Sequence, residues 1–201
     1  MTLLICPGIH DPALSDRFCT VLHQRLQATD CPPTTAAIHT WALLPTQRHA
    51  PFDGVAVWAW GQAIASRQEP LLLLGFSAGV VGAIAAAQLW QAQGRAIAAV
   101  IAVDGWGVPH LGDFPLYRVS HDHFTHWSGA LLGAGAASFY AAPAVTHLDL
   151  WQFPERAVGV ADFWGDRPPS PTTAVDFIVQ LLLRHGCSGA LTALPPTAAG
   201  V

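Results

Sequence analysis

A serine flanked by glycines, Gly75-Phe76-Ser77-Ala78-Gly79, lies where the apolar run Leu71 to Leu74 gives way to the small residues of Val80 to Ala87. A serine on such a sharp strand-to-helix turn has its hydroxyl pushed out beyond the end of a sheet. The glycines remove side chains that would collide in the strained backbone. That hydroxyl can attack a carbonyl carbon, provided that a base takes its proton and a carboxylate orients the base. Ten histidines compete for the role of base. Two carboxylates stand at the ends of apolar runs: Asp104 after Ile97 to Val103, and Asp122 just after Leu116 to Ser120.

The elements around these residues alternate between strand and helix signals, the pattern of an α/β fold with a mostly parallel sheet covered on both faces. Leu3 to Cys6 reads as a first strand, ending at Pro7-Gly8. Asp11 or Ser15 can cap a helix whose Phe18, Leu22 and Leu26 recur at helical spacing. Ala36 to His39 reads as a second strand, followed by a Pro-rich connector. Asp53 to Ser66 reads as a helix with Val57, Trp60 and Ile64 on one side. Leu71 to Leu74 has the continuous apolar character of a central parallel strand. Val80 to Gln93 reads as a helix stopped by Gly94. Ile97 to Val103, Leu116 to Ser120 and Ser138 to Ala141 complete a sheet of about six strands, with a helix over Trp127 to Leu132. Thr173 to Arg184 reads as a final helix. This is one domain over residues 1–185, with residues 186–201 as a loose tail. Only some thirteen residues join Val103 to Tyr117, barely enough for a parallel crossover. If that connection fails, Asp104 becomes the acid in place of Asp122, with His126 as its base.

Composition narrows the function. The chain has 201 residues, is 52% apolar and only 11% charged, and carries a net charge of -4. Such a surface is unusually greasy, which fits an apolar site, a protein partner or a homodimer. Its nine arginines come with no lysine, which leaves no basic stripe for nucleic acid, no Walker-type phosphate lysine and no Schiff base. Cys6, Cys19, Cys31 and Cys187 are scattered without paired spacing, as free thiols in a reducing cytoplasm would be. The first strand is too short for a signal core and lacks a basic start, so no targeting segment is expected. Leu71 to Ala87 is seventeen residues without charge, at the lower limit of a membrane span. The glycines at 75, 79 and 82 fit a strand, a turn and a packed helix instead.

The elbow after a buried strand, together with Pro7-Gly8-Ile9-His10 after the first strand, resembles the α/β-hydrolase family over about residues 1–185. The resemblance implies a single-domain hydrolase fold with helices on both faces of the sheet and minimal lid or none. It implies a chain order of nucleophile, acid and histidine, which Ser77, Asp122 and His147 satisfy. His147 is preferred because Pro154-Glu155 follows it by seven residues, as in many small members. It also implies an oxyanion hole made by the backbone N–H groups of Ile9 and Ala78. Trp58, Trp60, Trp106, Trp127, Trp151 and Trp164 fall near expected strand ends or loops, where ligands bind on parallel sheets.

The expected function is a serine hydrolase cleaving a small carboxylic ester or thioester with an apolar acyl or aromatic group, without cofactor or metal. An acyltransferase would use the same parts, and a non-catalytic binding or scaffold protein could keep the fold without a competent base. A zinc hydrolase is the third reading. His121-Asp122-His123-Phe124-Thr125-His126 sets imidazoles two and three residues apart, and resembles the His-x-His-x-Asp-His segment of metallo-β-lactamase-like hydrolases. Thr125 stands there in place of that family's aspartate.

Overall fold

The computed structural model describes residues 1–29, 40–105, 107–163 and 169–186. They form one eight-stranded sheet in the order β2-β1-β3-β4-β5-β6-β7-β8, with six helices. The strands are β1 (Thr2–Cys6), β2 (Thr40–Leu43), β3 (Leu71–Phe76), β4 (Ile97–Val103), β5 (Leu116–Ser120), β6 (Ala137–Ala141), β7 (Val158–Asp162) and β8 (Ser170–Thr173). The helices are α1 (Pro12–Gln27), α2 (Gly54–Ile64), α3 (Ala78–Ala92), α4 (His123–Ala130), α5 (His147–Gln152) and α6 (Ala174–Arg184). Strands β1 to β6 pair in parallel, whereas β7 pairs antiparallel with both β6 and β8. This is the expected α/β-hydrolase architecture with two additional strands at its edge.

The four leucines of β3 show why the strand is continuously apolar. Leu72 and Leu74 pack with Phe18, Leu22, Trp151 and Phe177 on the face covered by α1, α5 and α6. Leu71 and Leu73 pack with Val57, Val80, Ala83 and Trp90 under α2 and α3. Successive side chains of a strand point to opposite faces, so a strand covered on both sides must be apolar throughout. The uncharged run Leu71 to Ala87 is therefore β3, a turn and most of α3. Among the described residues, no helix is long and apolar enough to cross a membrane.

Local signals place most boundaries. Asp11 caps α1 by accepting from the Ala13 N–H, and Pro12 occupies the first turn, where its missing N–H costs nothing. Asp53 caps α2 through the N–H groups of Val55 and Ala56. Gly94 follows α3 with φ +75°. The expected strand Ala36 to His39 lies outside the described residues, and β2 begins at Thr40. Helix α4 starts four residues before the expected Trp127, because Asp122 caps it. Strands β7 and β8 and helix α5 were not foreseen. Their residues mix Pro, Asp and Gly with short apolar stretches that give no clear period.

The short link from β4 to β5, residues 104–115, makes its parallel crossover without a helix among its described residues. The objection that length raised against this connection therefore falls. Buried Arg118 on β5 donates to the carbonyl of Gly133 at 2.6 Å and of Val108 at 3.2 Å. It pins both the β4–β5 link and the segment after α4. Burial lowers its guanidinium pKa, a cost that the two carbonyls offset.

Candidate active site

Ser77 connects β3 to α3 with φ +52° and ψ −122°, a backbone conformation that side chains with a Cβ rarely adopt. Its neighbours explain how such a conformation is held. A Cβ on Gly79 would stand 2.0 Å from the Cys6 carbonyl oxygen, and one on Gly75 would stand 2.8 Å from the Val80 Cα. Only glycine fits either place. The Ser77 N–H donates to the Val103 carbonyl at 2.9 Å, tying the elbow to β4. Ser77 occupies the N-cap position of α3, yet its side chain makes no capping bond, which leaves the hydroxyl uncommitted to the helix.

Asp104 ends β4 in a second left-handed conformation, φ +50°. Gly105 beside it lets the chain pass α3, since a Cβ there would lie 2.4 Å from a Val80 methyl. The Asp104 carboxylate is 1% exposed and fully engaged. One oxygen accepts the His121 backbone N–H at 2.8 Å; the other lies 2.9 Å from His121 Nδ1 and 2.8 Å from His147 Nδ1. A buried carboxylate is tolerated when donors surround it in this way.

His147 is the first residue of α5, a helix capped by the Thr146 hydroxyl, which accepts from the Asp149 N–H. The segment before α5 is anchored to the one after β5, because the Val145 N–H donates to the His121 carbonyl at 3.0 Å. The imidazole stacks on Phe76, which precedes Ser77, at 4.6 Å between centroids. Behind Phe76 lie Trp151 at 4.7 Å and Phe18 at 3.7 Å from Trp151, all nearly coplanar in orientation. His147 and Trp151 are four residues apart on α5, hence on one face. The Trp151 indole N–H donates to the buried Ser15 hydroxyl at 3.1 Å. A column of rings thus runs from the core to the histidine.

Ser77, Asp104, His121 and His147 line one cavity of about 490 Å³, with Ala78, Val81, Val108, Phe124 and Thr125. The cavity walls are mainly apolar. The described walls come from the elbow and α3, the β4–β5 link, the end of β5, α4 and the start of α5.

The structure brings Ser77 and His147 into this cavity as expected, but the carboxylate on His147 belongs to Asp104, not Asp122. Asp122 spends its side chain capping α4, accepting from the Thr125 N–H at 2.7 Å. That hydrogen bond, ahead of the nearby imidazoles, holds its carboxyl below the ordinary carboxylate range. His126, the alternative base, packs instead on Tyr140 at 5.0 Å, and burial lowers its pKa. His123 also lies against Tyr140, whereas His121 turns to Asp104, so the expected His121, His123 and His126 set does not converge. Ala78 lines the cavity. The loop containing Ile9 lies alongside the elbow, because a Cβ on Gly8 would stand 3.0 Å from the Ser77 Cβ. The Ile9 side chain is 73% exposed.

The tryptophans are mostly elsewhere. Trp58 and Trp60 pack on the α2 and α3 core, Trp127 faces solvent, and Trp151 is fully buried behind Phe76. Trp106 and Trp164 lie outside the described residues. Glu155, singled out by its distance from His147, binds Arg17 of α1 at 2.7 Å and so fastens the end of α5. Cys6 and Cys19 are free and buried, and burial pushes both thiols up to about 12. Sequence reasoning placed His121 only in the zinc reading with His123 and His126 and missed both its pairing with Asp104 and the ring column. Sequence alone hints at the column only in the spacing of His147 and Trp151.

No model of a known protein family matches the chain, and no curated protein matches it. Among solved structures, it is similar to YbtT, a type II thioesterase from the yersiniabactin NRPS/PKS biosynthetic pathway, at 14% identity and a TM-score of 0.51. The match covers 92% of each chain. At that identity the likeness speaks for the fold alone, and the fold it shows is the α/β-hydrolase fold.

Proposed function

We propose that this protein is a serine hydrolase that cleaves an ester or thioester of an apolar acyl or aromatic group through an acyl-enzyme on Ser77. One observation carries the reading: a serine in a strained elbow shares a cavity with a histidine whose Nδ1 lies 2.8 Å from a buried carboxylate. With the His147 proton on Nδ1 facing Asp104, the opposite ring nitrogen is free to accept the Ser77 proton. Ser77 Oγ attacks the carbonyl carbon, and His147 then returns the proton to the leaving alcohol or thiol. Water, deprotonated by the same ring, releases the acid. Asp104 orients the ring and stabilises its cationic form. The backbone N–H groups of Ala78 and Ile9 are the oxyanion donors, one of which contributes about 3 kcal/mol to lowering the barrier.

Val81, Val108 and Phe124 supply the apolar wall for the acyl group. The structural likeness to a type II thioesterase supports including thioesters. The test is labelling of the folded protein by a fluorophosphonate probe, with loss of labelling in Ser77→Ala. Failure of several such probes to label folded protein would sink the reading. Product analysis with added alcohol or amine acceptors separates hydrolysis from acyl transfer.

A further inference from the structure

Asp104 holds two imidazoles on a single oxygen, and His121 is the one with an acid on each side. Its Nδ1 lies 2.9 Å from Asp104 Oδ2 and its Nε2 lies 3.6 Å from Asp122 Oδ2. A neutral ring has one proton and serves only one of them. Both can be served by a doubly protonated ring, or by a ring bearing a metal ion on Nδ1 and a proton on Nε2; a carboxylate beyond the free nitrogen is the usual companion of a metal-bound histidine. Among the described residues, Asp104, His121 and His147 form a group whose donor atoms, one from each, lie within 4.8 Å of one another.

We propose that these three side chains bind a divalent transition-metal ion of the zinc type. Two imidazoles and one carboxylate suit zinc, copper(II) or nickel, whereas magnesium and calcium require oxygen ligands. The carboxylate is 1% exposed and is fixed on its other oxygen by the His121 backbone N–H. The His121 and His147 side chains are 25% and 41% exposed, so the rings can turn to draw their nitrogens to the roughly 2.0 Å that zinc requires. The cavity provides the entry path and a position for a fourth ligand.

The consequence for activity rests on the hydrolase reading above. Metal on His147 Nδ1 displaces the proton there to Nε2, with no net proton released from a neutral ring. Nε2 then donates rather than accepts and cannot deprotonate Ser77. Metal binding and acylation become mutually exclusive.

Equilibrium dialysis of the full chain, purified without an affinity tag, against zinc chloride measures the site directly. One ion per chain is expected, bound at least about tenfold more weakly by His121→Gln and by Asp104→Asn, and unchanged in His123→Gln. Circular dichroism melts identify the folded variants. Zinc should also slow fluorophosphonate labelling of Ser77 in the wild type and lose that effect in His121→Gln. Saturable zinc binding by a chain that no probe labels supports the site while removing the hydrolase reading. Absence of saturable binding, or equal binding by folded His121→Gln, overturns the proposal.

Discussion

The Phe76 ring lies against the His147 imidazole with 23° between their planes, one residue before Ser77. The imidazole proposed as base is therefore positioned by packing as well as by Asp104. Phe76→Leu keeps the position apolar but leaves a small cavity, and should cost about 1–3 kcal/mol of stability. A small misplacement of a catalytic group can cost up to about a hundredfold in rate, so kcat should fall by about tenfold or more while KM changes little. Steady-state kinetics with a chromogenic ester check this; an unchanged kcat in the folded variant would reduce the stack to core packing.

The two carboxylates should separate cleanly. Asp104→Asn removes the charge facing His147 and should lower kcat by about 10⁴, the loss expected when the orienting acid becomes an amide. Asp122→Ala removes a helix cap and a carboxylate beside His121, but no group facing His147, and should cost about 1 kcal/mol of stability. Its kcat should stay within a few fold of wild type. The reverse ranking would restore Asp122 as the acid.

Gly79→Ala places a methyl group 2.0 Å from the Cys6 carbonyl, with backbone on both sides of the clash. The elbow and the β1 end would have to part, a strain of several kcal/mol that is a large fraction of a domain's stability. Loss of soluble expression or a collapse of the melting temperature is expected. A variant melting like the wild type would contradict the close approach.

Three histidines give stability a defined pH slope. Burial lowers the pKa values of His110, His126 and His185 below 6.5 in the folded state. The unfolded chain therefore binds more protons than the folded one between those values and 6.5, and stability falls as pH drops through that window. Melting temperatures at pH 7.5, 6.5 and 5.5 should decrease in that order. Asp176, held below its usual range by Arg25, acts only lower down, near and below the unfolded carboxylate value. A flat profile across the window would exclude the three rings as buried neutral groups.

How much of this the sequence reveals depends on the range of the physics. The elbow is legible because its glycines, serine and preceding leucines are contiguous, and local sterics dictate the turn. Five of the first six strands follow from apolar runs, whereas β2 at Thr40–Leu43 is not read from them. Asp104 and Asp122 look alike at that level, for each ends a strand. What separates them is a competition read only in three dimensions: Asp122 has a helix N-terminus to cap, whereas Asp104 is carried by a left-handed backbone into the cavity. The pairing of Asp104 with His147 spans 43 residues and rests on the order of strands in the sheet. The column of rings likewise joins α1, β3 and α5.

Ser77 and Asp104 leave neighbouring strands at the same level, for Phe76 is paired with Val103 across the sheet. Adjacent strands are held about 4.8 Å apart by their hydrogen bonds, so serine and acid move together as one stiff plate. His147 alone arrives from outside that plate, on a short helix. Assembly of the site thus reduces to a single coordinate, the seating of α5 on the sheet, which the ring column and the Arg17–Glu155 pair fix.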